Sequence, residues 1–163
     1  MGTKIRYGAG LLLTFFFLLA VSPAAFADDG RAWTWLSSND KYSKFYAPSS
    51  VRVAKSVMLP GKQQVVATEI TADIKTTFSY EGAEETIRNY KISHVIANPS
   101  QLSYAVAQVR VIPQSRLLQY VGETFYDAAG AVLWSKGMGT EKEMNSQQFD
   151  EEFYASIIDM VFH

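Results

Sequence analysis

From Val65 to Phe78 the chain alternates with a period of two. Val66, Thr68, Ile70, Ala72, Ile74 and Phe78 fall on one side; Glu69, Thr71, Asp73, Lys75 and Thr77 fall on the other. Successive side chains of a strand point to opposite faces, so this pattern predicts a strand with one face on a core and one in water. Antiparallel sheets commonly take that form, whereas parallel strands covered on both sides read as continuous apolar runs.

The neighbouring segments extend the same sheet. Trp33, Trp35 and Leu36 open a short strand, Ser37–Lys41 is a turn cluster, and Tyr42–Ala47 reads as the returning strand of a hairpin. Pro48 opens a turn leading to Val51 and Val53, and Pro60-Gly61-Lys62 is a further turn signal. Leu102–Ile112, Leu117–Asp127 and Ala131–Lys136 read as a three-stranded meander. Its second reversal, Asp127-Ala128-Ala129-Gly130, suits a type I turn closed by a positive-φ glycine.

Two segments change period. In Ser79–Tyr90, Ala83, Ile87 and Tyr90 recur at helical spacing; Ser79 is placed to cap, and Glu81, Glu84 and Glu85 sit early, where acids suit the helix dipole. Near the C-terminus Phe149, Phe153, Ile157 and Val161 recur every four residues, after a cap at Asn145 or Ser146. Asp150, Glu151 and Asp159 are assigned to the outer face. The expected fold is α+β: an antiparallel sheet of about five to seven strands, a C-terminal amphipathic helix packed on one face, and a short helix between strands.

The first 27 residues have a different character. Lys4 and Arg6 precede the apolar run Leu11–Val21, Ser22-Pro23 breaks it, and Ala25-Phe26-Ala27 places small residues where a signal peptidase cuts. The run falls well short of the roughly 20 residues of a membrane-spanning helix. The expectation is a secretory signal over 1–27, cleaved between Ala27 and Asp28. A single exported domain would then cover 28–163, periplasmic, cell-surface or secreted, with no transmembrane helix in the mature chain. With no cysteine in the chain, stability must come from core packing rather than disulfides. The formal net charge is −1, and losing Lys4 and Arg6 makes the remainder more acidic, which disfavours nucleic acid as a partner.

The order of these segments resembles the surface-adhesin protein E-like family of small exported bacterial domains. The likeness runs through Trp33 and Trp35, then Phe45-Tyr46-Ala47-Pro48-Ser49-Ser50-Val51 entering a short turn. It continues through the alternating strand Val65–Phe78 and from Arg116 to the Tyr126-Asp127-Ala128-Ala129-Gly130 hairpin. It covers most of residues 33–136. Many relatives carry a cysteine pair that this chain lacks, and the final helix is longer here. The resemblance implies an antiparallel sheet with a packed helix, and binding of host proteins as the role of particular members. No family binding residue maps onto a position of this chain.

Enzymatic constellations are sparse. The chain has two histidines, His94 near an expected loop and His163 at the last position, and no serine lies in a G-x-S-x-G elbow. Cysteine and histidine clusters for zinc are missing, and the acids of the two helices read as solvated faces. Gly137-Met138-Gly139 lacks the Gly-Lys-Ser/Thr of a phosphate loop. No cofactor and no catalytic or metal-binding residue is expected. The aromatics remain: Trp33 and Trp35 share one strand face, while Phe45 and Tyr46 face opposite ways, so at least one should point away from the core. Trp33, Trp35, Phe45 and Tyr46 are therefore the candidate recognition patch. The leading expectation is a non-enzymatic exported binding or surface-interaction domain whose partner is an extracellular or envelope protein. A structural envelope protein without a discrete ligand and an acid-based hydrolase are the alternatives.

Overall fold

The computed structural model describes residues 30–139, 142–143 and 148–162. The expected leader over 1–27, the Ala27–Asp28 junction and the expected cap at Asn145 or Ser146 lie outside them. Eight strands and two α-helices follow in the order β1 (Thr34–Ser38), β2 (Tyr42–Tyr46), β3 (Arg52–Met58), β4 (Val65–Phe78), α1 (Tyr80–Tyr90), β5 (Tyr104–Ile112), β6 (Leu117–Tyr126), β7 (Val132–Lys136), β8 (Lys142–Glu143) and α2 (Gln148–Phe162). All pairings are antiparallel. The sheet runs β1-β2-β4-β5-β6-β7, with β3 also on β4 and the two-residue β8 also on β6. The α+β architecture is the expected one. Among the described residues, no helix is long and apolar enough to cross a membrane.

Strand β4 organises the sheet. One of its edges is shared: β2 pairs its C-terminal half, from Ile74 to Phe78, and β3 pairs its N-terminal half, from Val65 to Thr71. Its other edge pairs with β5 from Ile70 to Thr77. The alternation predicted Ile70, Ala72 and Ile74 on the core side, and all three are fully buried. Strand β3 is legible only as the exit of a turn, because every one of its residues is exposed and no buried face imposes a pattern.

Both helices lie on one face of the sheet. Register places Tyr46, Ile74 and Ala107 in one cross-strand row, and Thr76, Ala105, Phe125 and Trp134 in a parallel row on the same side. Helix α2 covers one part of this face, where Phe153 and Ile157 pack with Leu36, Tyr46, Ile70, Ile74, Val109, Val111 and Leu118. Helix α1 and the segment after it cover another part, where Ala83, Ile87, Ile92, Ile96 and Leu102 pack with Ala105 and Phe125. Each fully buried large apolar side chain contributes roughly 1.5–3 kcal/mol, so the two layers hold the fold without cross-links.

The ends of α1 follow the sequence. Ser79 accepts a bond from the Gly82 amide, and Lys91 closes the helix in the left-handed region. The turn between β1 and β2 docks on this N-terminus: the Lys41 carbonyl accepts from the Ser79 amide at 2.9 Å, and Lys41 pairs with Glu85 at 2.5 Å. The reversal after β6 is also as expected, with Asp127 accepting from the Ala129 and Ala131 amides and Gly130 at φ +83°.

Two assignments are corrected. Asp150, placed on the outer face of the final helix, is only 2% exposed. It precedes Phe153 by three residues and Ile157 by seven, so it shares the stripe that meets the sheet. Lys75, placed on the watery side of β4, is 5% exposed. Its ammonium is covered by the rings of Trp33, at 5.5 Å, and Tyr104, at 4.5 Å, a cation–π arrangement that compensates part of its lost hydration.

Gly82 is the tightest joint. A Cβ there would stand 2.2 Å from the Lys41 carbonyl oxygen, a backbone atom that cannot swing aside. Gly82→Ala should destabilise the domain by about 1–3 kcal/mol as overpacking forces the turn off the helix. The check is the urea midpoint against wild type, and an unchanged midpoint would contradict this packing.

Candidate functional site

The sheet face opposite the helices carries the aromatic residues singled out in the sequence. Trp35 pairs with Phe45 across β1 and β2, and Phe45 pairs with Lys75 across β2 and β4, so all three belong to one row. Trp33, just before β1, lies over Lys75, and Arg31 both pairs with Asp73 and stands 5.2 Å from the Trp33 ring centroid. Beyond Lys75, Tyr104 and Tyr126 stack with centroids 4.8 Å apart. The outcome is a band from Trp35 through Phe45, Trp33 and Lys75 to Tyr104 and Tyr126, which neither α1 nor α2 covers.

Exposure grades along this band. Trp35 is 57% exposed, Trp33 and Phe45 are half-buried, and Tyr104 is buried. Trp35 is held in orientation at its polar end, where Nε1 donates to Ser38 Oγ at 2.9 Å and that hydroxyl donates to Ser43 Oγ at 2.8 Å. Tyr46 does not join the band. It is 8% exposed and packs in the core on the helix-bearing face, one residue out of phase with Phe45. Three of the four sequence-selected aromatics are thus brought together, and the fourth is structural.

A second cluster lies on the helix-bearing face, between the two apolar layers. Register brings Lys136, Glu123 and Ala107 into one row, with Lys44 and Thr76 in the adjacent one. Tyr90, the last residue of α1, donates its hydroxyl to Glu123 Oε2, and Lys136 Nζ lies 4.8 Å from the Tyr90 ring centroid. Burial pushes the Glu123 carboxyl above its usual range, against the pull of the Tyr90 hydroxyl, Lys136 and Lys44. Burial also raises the Tyr90 and Tyr120 phenols, and the Glu123 charge adds to both shifts, with Asp150 acting on Tyr120 as well.

Strict alternation hides this cluster. Tyr120 and Glu123 differ by three positions and should face opposite ways. A β-bulge intervenes, because β5 passes from Gln108 to Val109 while β6 passes from Gly122 to Tyr120. The extra residue, Val121, restores both side chains to one face. The sequence signal that could have found it is the Val121-Gly122 pair within a long strand pattern, since a lone glycine in a strand often marks a bulge.

The cluster has general acid–base groups but no assembled nucleophilic triad. His94 is exposed in the segment after α1. Among the described residues, no three of Asp, Glu, His and Cys gather in a way that could hold a metal ion. Compared with known protein families, curated proteins and solved structures, the chain finds no match.

The tyrosine shifts have a measurable sign. Native Tyr90 and Tyr120 keep their protons where the unfolded phenols, at about 10, ionise. The stability they contribute is therefore fully present below pH 10 and declines as pH rises beyond it. Tyr120→Phe should flatten the loss of stability between neutral and strongly alkaline pH in urea titrations. An alkaline slope as steep as that of the wild type would count against a buried, protonated Tyr120.

Proposed function

We propose that this chain is a non-enzymatic exported binding domain that engages an extracellular or envelope protein through the sheet face opposite α1 and α2. The observation that carries this reading is the exposure of Trp35 at the head of an aromatic band. Tryptophan leaves a large apolar area in water at 57% exposure, and burial against a partner regains that area. Its indole is oriented by Ser38, so little rotamer freedom remains to be lost on binding. Phe45 stands beside it and Trp33 lies farther along, over Lys75, and the Arg31–Asp73 pair and the hydroxyls of Ser38 and Ser43 supply a polar rim.

The segment order that resembles the surface-adhesin protein E-like family supports the same class, and the leader pattern over residues 1–27 supports the compartment. The partner is a protein with an apolar protrusion or strand able to lie across the band.

Truncating a central interface tryptophan typically costs about 2 kcal/mol or more, close to a thirtyfold loss of affinity. In pull-downs from envelope and extracellular extracts, a partner retained by wild type should be lost by Trp35→Ala and weakened by Phe45→Ala, with circular dichroism unchanged in both. Capture of the same partner by the Trp35→Ala/Phe45→Ala double variant at wild-type yield would overturn the assignment of this face.

A further inference from the structure

The helix-bearing face carries a second site, independent of the aromatic band. At the C-terminal end of α1, Asn89, Tyr90, Trp134 and Lys136 line an open surface cavity of about 540 Å³. Small-molecule sites commonly occupy about 300–1,000 Å³ and combine apolar walls with a few placed polar groups. Here the walls are two aromatic rings meeting near a right angle, Tyr90 and Trp134, with centroids 5.8 Å apart at 79°. Both are fixed from behind. Phe125 packs edge-on to Tyr90 and tilted to Trp134, and the Tyr90 hydroxyl is tied to Glu123. The polar groups are the Asn89 amide and the Lys136 ammonium, both on exposed residues at the rim.

The chemistry of this lining selects a ligand class. A fully apolar ligand would strip water from Asn89 and Lys136 and give nothing back. A multiply charged anion would find Lys136 as the single cation of the lining. What fits is a neutral molecule with one flat apolar face and hydroxyls around its edge. We propose that this cavity binds a pyranose saccharide, its C–H face stacked on Trp134 and its hydroxyls bonded to Asn89 and Lys136. Tyr90 forms the second wall and limits the sugar's orientation.

The chain has three tryptophans, so Trp33→Phe/Trp35→Phe leaves Trp134 as the sole indole in the otherwise intact protein. Its emission can be followed during titration with cellobiose, with N,N′-diacetylchitobiose and, as a flat heteroaromatic comparison, with adenosine. A saturable change with at least one disaccharide is expected, and Asn89→Ala and Lys136→Ala should each weaken it about tenfold. Lys136 also lies over the Tyr90 ring and beside Glu123, so the urea midpoint of each variant is measured with its affinity, and Asn89→Ala, at an exposed position without those contacts, carries the test on its own if Lys136→Ala lowers the midpoint. No saturable change with either disaccharide, saturation with adenosine alone, or unchanged affinity in the Asn89→Ala/Lys136→Ala double variant would overturn the proposal. None of these outcomes bears on the Trp35 face, because that residue is already replaced in the background used.

Discussion

Everything in this fold leans on β4, which is long enough to serve two neighbours along one edge. Its C-terminal half holds the β1–β2 hairpin, and its N-terminal half holds β3. The other edge pairs with β5, so the fully buried side chains of Ile70, Ala72 and Ile74 sit where every layer converges. A polar residue at any of these positions would leave an unsatisfied group under α2, and a one-residue slip would exchange the two faces of the sheet. The outer edge of β3, which pairs with no other strand among the described residues, is protected in a different way. Lys55 lies at two consecutive irregularities in the register and pairs with Glu69, a combination that discourages another strand from adding there.

Confining both helices to one face divides the molecule into unlike halves. On the covered side, two apolar layers leave a polar seam containing Lys44, Glu123 and Lys136, with Tyr90 and Tyr120 beside it. On the uncovered side, aromatic rings and a shielded lysine form a surface that no described helix hides. The two proposed binding places follow from this division rather than from any assembled catalytic group. The seam stores charge in a partly dry setting and lends rigidity to the rings beside it, while the band offers area.

Much of this was legible in residue order. Period-two alternation located β4, and helical spacing with Ser79 as cap located α1. The opposite phases of Phe45 and Tyr46 placed one outside and one within. The parts that escaped did so for definable reasons. Strand β3 has no buried face, so no pattern marks it. Lys75 reads as solvated because its cover comes from Trp33 and Tyr104, residues far from it in the chain. Asp150 reads as solvated because it is charged, although its position falls on the Phe153–Ile157 stripe. Glu123 and Tyr120 come together only through a bulge, which counts residues differently on two neighbouring strands.

Helix α2 touches β1, and its Phe153 and Ile157 share a layer with Leu36. The two contributing segments are separated by most of the chain. Hairpins within residues 65–136 can assemble from near neighbours, but this layer closes only once both distant segments are present. Such contacts raise the contact order, which slows folding. During synthesis, Leu36, Ile70 and Val111 would stay open to water, or to a chaperone, until residues 153–157 arrive.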